Sequence, residues 1–94
     1  MLEESRNKIN KIDEQMASLF EERMQTVEDI AAVKMEHDMP IYDATREQEI
    51  IDSKSKLISN DAYRPYYKEF IQDIMNISKE YQQHIMDDNR RVDQ

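Results

Sequence analysis

Glycine and cysteine are both absent from this chain. Without glycine there are no Gly-rich loops that cradle phosphates, which removes the common routes to nucleotide and dinucleotide binding. Without cysteine there is no disulfide framework, no thiolate metal site and no thiol nucleophile. Tryptophan is missing too, and only two prolines occur, at positions 40 and 65. No apolar run approaches membrane-spanning length. Charges run through the first fifteen residues, so no secretory signal is visible. These features point to a cytoplasmic protein. Positive charge is also in deficit: the formal net charge is −8, which disfavours nucleic acid as a partner.

What is present is amphipathic. Hydrophobic residues make up 38% of the 94 and charged residues 36%, a balance suited to long helices with one wet face in a single domain. Ile9, Ile12, Met16, Leu19, Phe20, Val27, Ile30 and Ala31 recur at steps of three and four, predicting one helix from about Leu2 to about Glu36. It would be roughly 50 Å long. Pro40 ends the helical pattern at Met39. Asp43 has the chemistry of an N-cap for a second helix over about Ala44–Ile58, with Ile50, Ile51, Leu57 and Ile58 inward. A third helix is expected from about Tyr63 to about Met86, with Pro65 in its first turn and Tyr67, Ile71, Ile74, Ser78, Tyr81 and Ile85 facing inward. The domain is therefore read as residues 1–86, followed by a fraying polar tail over 87–94. A long apolar stripe on so small a chain exceeds what two shorter helices can cover, so the expected fold class is all-α with three helices in a helical homodimer, the alternative being a monomeric three-helix bundle with an overhanging helix.

Polar residues stand where apolar ones were due. Arg23 lies seven residues after Met16 and seven before Ile30, on the apolar stripe. Lys34 follows it by eleven residues, close to three turns, so the two cations share a face about 16 Å apart. Between them Val27, Ile30 and Ala31 form an apolar floor. Ser78 interrupts the stripe of the third helix, and Gln82 follows one turn later. Each has a structural explanation: a snorkelling arginine, a lysine complementing a helix C-terminus, a hydrogen-bonded core serine beside a solvated glutamine. Together they describe a polar pocket for a small dianion. Arg6 is about 100° around the first helix from Arg23 and several turns away, so it can join the pocket only from a second chain. Arg46 and Glu47 sit in the first turn of the second helix, where free N–H groups favour an anion or hydroxyl. His37 and His84 are too far apart in sequence to pair by local spacing, and no metal or cofactor site is expected.

The run Arg6-x-x-Ile9-x-x-Ile12-Asp13, then Arg23, Lys34, Pro40-Ile41-Tyr42-Asp43-x-x-Arg46-Glu47 and Ser78-x-x-x-Gln82 resembles the all-helical chorismate mutases over roughly residues 2–86. The Pro-Ile-Tyr-Asp-x-x-Arg-Glu stretch is the most specific part. One departure is Asp38-Met39 before the proline, where the family often has Asn-Gly. The resemblance implies an intertwined homodimer that rearranges chorismate to prephenate without cofactor. It implies that Arg23 and the Arg6 of the other chain clamp carboxylates, with Ser78 assisting. Lys34 and Gln82 would bind the ether oxygen. Glu47 and the Asp43 backbone would hold the ring hydroxyl, and Arg46 would complete the polar wall. An isochorismate-pyruvate lyase shares this fold and pocket type. A non-catalytic helical module that dimerises or regulates a fused enzyme is the reading from a different class.

Overall fold

The computed structural model describes residues 1–92, with side chains described through Asn89. The chain forms three helices, and among the described residues there are no strands: α1 (Glu3–Glu36), α2 (Ala44–Ser55) and α3 (Arg64–Val92). Helix α1 opens with Glu3 and Glu4 and closes with Lys34, charges that oppose its macrodipole at both ends. It packs on α3, and α3 packs on α2. The result is a slab of 58 × 28 × 14 Å, close to one helix diameter thick. Its radius of gyration is 16.8 Å, against about 12 Å for a compact domain of this length.

With no glycine, two other devices satisfy the helix ends. At the end of α1, Asp38 adopts the left-handed conformation at φ 53°. Its N–H donates to the Met35 carbonyl, and the Met39 N–H donates to the Lys34 carbonyl at 2.8 Å. This is the paired closure usually built on glycine; aspartate is one of the few other residues that tolerates it. Pro40 follows and prevents the helix from restarting. At the end of α2, the Arg64 guanidinium donates to the carbonyls of Ser55 and Ile58 at 3.2 and 2.6 Å and also pairs with Asp61. Asp43 caps α2 as its sequence suggests, accepting from the Arg46 N–H at 3.0 Å.

Several boundaries and faces differ from expectation. Helix α2 stops at Ser55 rather than Ile58, because Arg64 takes the Ser55 and Ile58 carbonyls. Leu57 is exposed rather than inward. Helix α3 runs past Met86 to Val92; of the expected tail, Asp93 and Gln94 lie outside the described residues. The buried line of α3 is Met75, Ser78, Gln82 and Met86, with Tyr67, Ile71, Ile74, Tyr81 and Ile85 half-buried beside it. The face is rotated towards Met75 because methionines adjoin Ile74 and Ile85, and the more flexible side chain fills the seam.

The stripe on α1 is only partly covered. Val27 and Ala31 are buried against α3, but every residue from Met1 to Glu22 is exposed, Ile9, Ile12, Met16, Leu19 and Phe20 included. Ile30, expected in the pocket floor, faces outward as well. A second uncovered line runs from Tyr63, just before α3, through Tyr66, Phe70 and Ile77 of the helix. The accessible surface is 7843 Å², roughly 2,000 Å² more than a compact monomer of this mass exposes.

The left-handed Asp38 gives a stability test. Asp38→Asn should leave the unfolding midpoint nearly unchanged, and Asp38→Val should lose about 1 kcal/mol by denaturant titration, since a β-branched residue resists this conformation. A valine variant as stable as the parent would contradict the turn described here.

Candidate active site

Of the polar residues that break the apolar stripes, Arg23 and Ser78 meet at the α1–α3 seam. Arg23 is half-buried, and its guanidinium donates to the Ser78 hydroxyl, which in turn donates to the Ile74 carbonyl at 2.9 Å. Burial lowers the Arg23 pKa from its ordinary value, but an arginine starts so high that the group stays charged. Gln82, one turn beyond Ser78, is 5% exposed and its Oε1 is buried without a hydrogen-bond partner. A buried unpaired carbonyl costs about 1–3 kcal/mol. Such a group in the core is a liability unless function retains it.

Lys34 reaches from the last turn of α1 to the loop, donating to the Ile41 carbonyl at 2.8 Å. One of three ammonium protons is thereby engaged, which fixes the amine and leaves two. It borders two hollows. One, of about 240 Å³, also involves Met35, Asp38, Met39, Met86 and Asn89; the other, of about 280 Å³, is an open apolar trough along Thr26, Asp29, Ile30, Val33 and Met39. Neither is lined by Arg23, Ser78 or Gln82.

Glu47, in the first turn of α2, is tied to α3. Its Oε1 accepts from Gln72 Nε2 at 3.0 Å and its Oε2 lies 2.9 Å from Lys79 Nζ. Burial pushes its carboxyl up, but hydrogen bonds from Lys79 and Gln72 and the charge of Lys79 outweigh burial and the nearby Asp43. The net pKa is below the ordinary value. The Lys79 ammonium also sits 4.6 Å from the centre of the Tyr42 ring. Gln72, Asn76 and Lys79 recur at steps of four and three beside the buried line of α3. Sequence reasoning passed over Lys79 and Gln72, although that spacing marks a polar stripe along one face.

Three of the anticipated residues stand apart from the seam. Arg6 is exposed on the uncovered part of α1, about 25 Å along the axis from Arg23. Arg46 is also exposed, 3.8 Å from Glu49. Asp43 is occupied as the α2 cap, and its carbonyl accepts from the Glu47 N–H at 3.0 Å. Of the histidines, His84 pairs with Asp88 at 3.1 Å within α3.

Residues 5–83 match the family described as chorismate mutase type II, a stretch that takes in α2, most of α1 and α3, and each of Arg6, Arg23, Lys34, Asp43, Arg46, Glu47, Ser78 and Gln82. The chain belongs to the chorismate mutase type II family. No solved structure matches it. Among the described residues no helix of this family member is long and apolar enough to cross a membrane.

The unpaired amide offers a test of site against stability. Gln82→Met removes a buried polar group at similar volume, so folding stability should hold or rise by about 1 kcal/mol. A loss above about 2 kcal/mol would mean that the amide has a structural partner.

Proposed function

We propose that this chain is a chorismate mutase that works in the cytoplasm as an intertwined homodimer and rearranges chorismate to prephenate without metal or cofactor. The observation that carries the reading is the half-buried Arg23 bonded to the buried Ser78, with buried Gln82 one turn further along α3 and Lys34 about three turns further along α1, in a chain of this family. The reaction is an intramolecular [3,3] rearrangement: a C–O bond breaks as a C–C bond forms, and no nucleophile or base takes part. A protein accelerates it by holding the flexible dianion in the reactive conformer and by stabilising negative charge that grows on the ether oxygen.

Each residue type suits one of those tasks. Arg23, presented by Ser78, takes one substrate carboxylate, and Arg6 of a second copy takes the other, with Arg46 beside them. Lys34, with two protons left after its bond to Ile41, and the Gln82 amide donate to the ether oxygen. That contact strengthens in the transition state, so it acts on turnover. Glu47 accepts the ring hydroxyl, with the backbone at Asp43. The second copy is supported by the exposed apolar stripe of α1 and by the excess surface. Roughly 2,000 Å² on each of two chains falls within the range of obligate dimers.

Purified protein should consume chorismate and release prephenate. Salicylate and pyruvate from isochorismate would instead indicate the lyase, and turnover of neither would leave a non-catalytic helical module. Lys34→Ala should lose turnover on the order of 10²–10³-fold with little change in KM, while Arg23→Ala should lose both. Near-normal turnover by Lys34→Ala would remove the ether-oxygen assignment.

The rate should be flat between pH 5 and 8. Gln82 is neutral and Arg23 remains charged. Glu47 is held below the usual carboxylate range, so it is ionised throughout that window. A collapse of activity within the window, with the helical fold intact by circular dichroism, would contradict these assignments.

A further inference from the structure

We infer that Lys79 is a positioning residue for this reaction, holding the Glu47 carboxylate and the Tyr42 ring so that Glu47 meets the substrate hydroxyl in one orientation; the inference rests on the proposed chorismate mutase activity. Lys79 is the residue after Ser78 on α3, and its side chain is 26% exposed. It faces two groups from the polypeptide that leads into α2. Its ammonium bonds the Glu47 carboxylate at 2.9 Å, and it lies 4.6 Å from the Tyr42 ring centre. The lysine therefore joins α3 to both ends of the Tyr42–Glu47 segment, which contains the Asp43 cap.

The geometry leaves Glu47 competent. Gln72 takes one position on Oε1 and Lys79 takes one on Oε2. Each carboxylate oxygen has two acceptor positions, so one remains on each for a hydroxyl. Two donors on two oxygens also fix the carboxylate plane, which a single donor does not.

Charge provides a second reason. A carboxylate with a 14% exposed side chain in a pocket for a dianion repels its ligand unless a cation accompanies it. The other charged groups nearby do not serve. Asp43 is acidic and works in the opposite direction. Arg46 pairs outward with Glu49, and Arg23 of α1 is engaged with Ser78. Lys79 is the cation bonded to this carboxylate, and its removal leaves burial and Asp43 to push the Glu47 proton affinity up.

Lys79→Met tests the role, with Lys79→Arg as the conservative control. In the methionine variant KM for chorismate should rise at least about tenfold at pH 7.5, and an acid limb should appear in kcat/KM between pH 5 and 7. Lys79→Arg should restore both. In parallel, ¹³C titration of the Glu47 carboxyl should place it below the ordinary carboxylate range in the parent and above it in Lys79→Met. A packing role alone would change the melting temperature without creating an acid limb or moving the Glu47 titration. An active parent whose Lys79→Met variant keeps a flat pH profile overturns the inference and leaves the proposed function standing. A parent with no chorismate turnover removes both, whatever the Glu47 titration shows.

Discussion

Helix α1 is 34 residues long, and its own chain packs only the part from Arg23 onward. The remainder carries a stripe of isoleucine, leucine, methionine and phenylalanine that nothing within the chain covers. Helices of this length are stabilised mainly by burying such a face. The slab, one helix thick, thus has two unfinished sides: the early α1 stripe and the outer line of α3. A second copy related by a two-fold axis offers each side a counterpart, because an isologous interface lets two different patches meet twice. The proposed dimer would also bring Arg6 to the seam, which a single straight helix cannot do.

The same constraint explains where the polar residues lie. Arg23 interrupts the stripe at the point where α1 passes from its uncovered part to its packed part. Burying a guanidinium there is tolerable because its stem packs while Ser78 accepts from its head. Gln82 is less well satisfied, with its Oε1 left unpaired. Glu47 is half-buried and compensated by Lys79 and Gln72. The region therefore collects positive and neutral donors, in a chain whose formal net charge is −8, and the half-buried Glu47 carboxylate is neutralised in place.

Much of the architecture was legible in the sequence. The periodicity from Ile9 to Ala31, the break at Pro40, the Asp43 cap and the place of Pro65 near the start of α3 all follow from local chemistry and agree with the structure. Arg23 and Ser78 were legible because each breaks an apolar repeat. Lys79 and Gln72 were not, because a lysine or glutamine on an amphipathic helix reads as part of the wet face until the packing of α2 is known. The end of α2 was missed because Leu57 and Ile58 continue the helical spacing, while Arg64, which takes the terminal carbonyls, comes from the next element. The α3 extension was missed because a polar run of good helix formers carries no apolar period to mark it.

The central claim is that each active site draws Arg23 from one chain and Arg6 from another. It is tested most directly by mixing two separately defective variants, Arg6→Ala and Arg23→Ala, under conditions that allow subunits to exchange. A mixed dimer places both substitutions in one site and leaves the other intact. Random pairing should therefore restore about a quarter of the parent's chorismate turnover. If the exchanged mixture stays as inactive as its two components, the shared site, and the dimer built around it, is wrong.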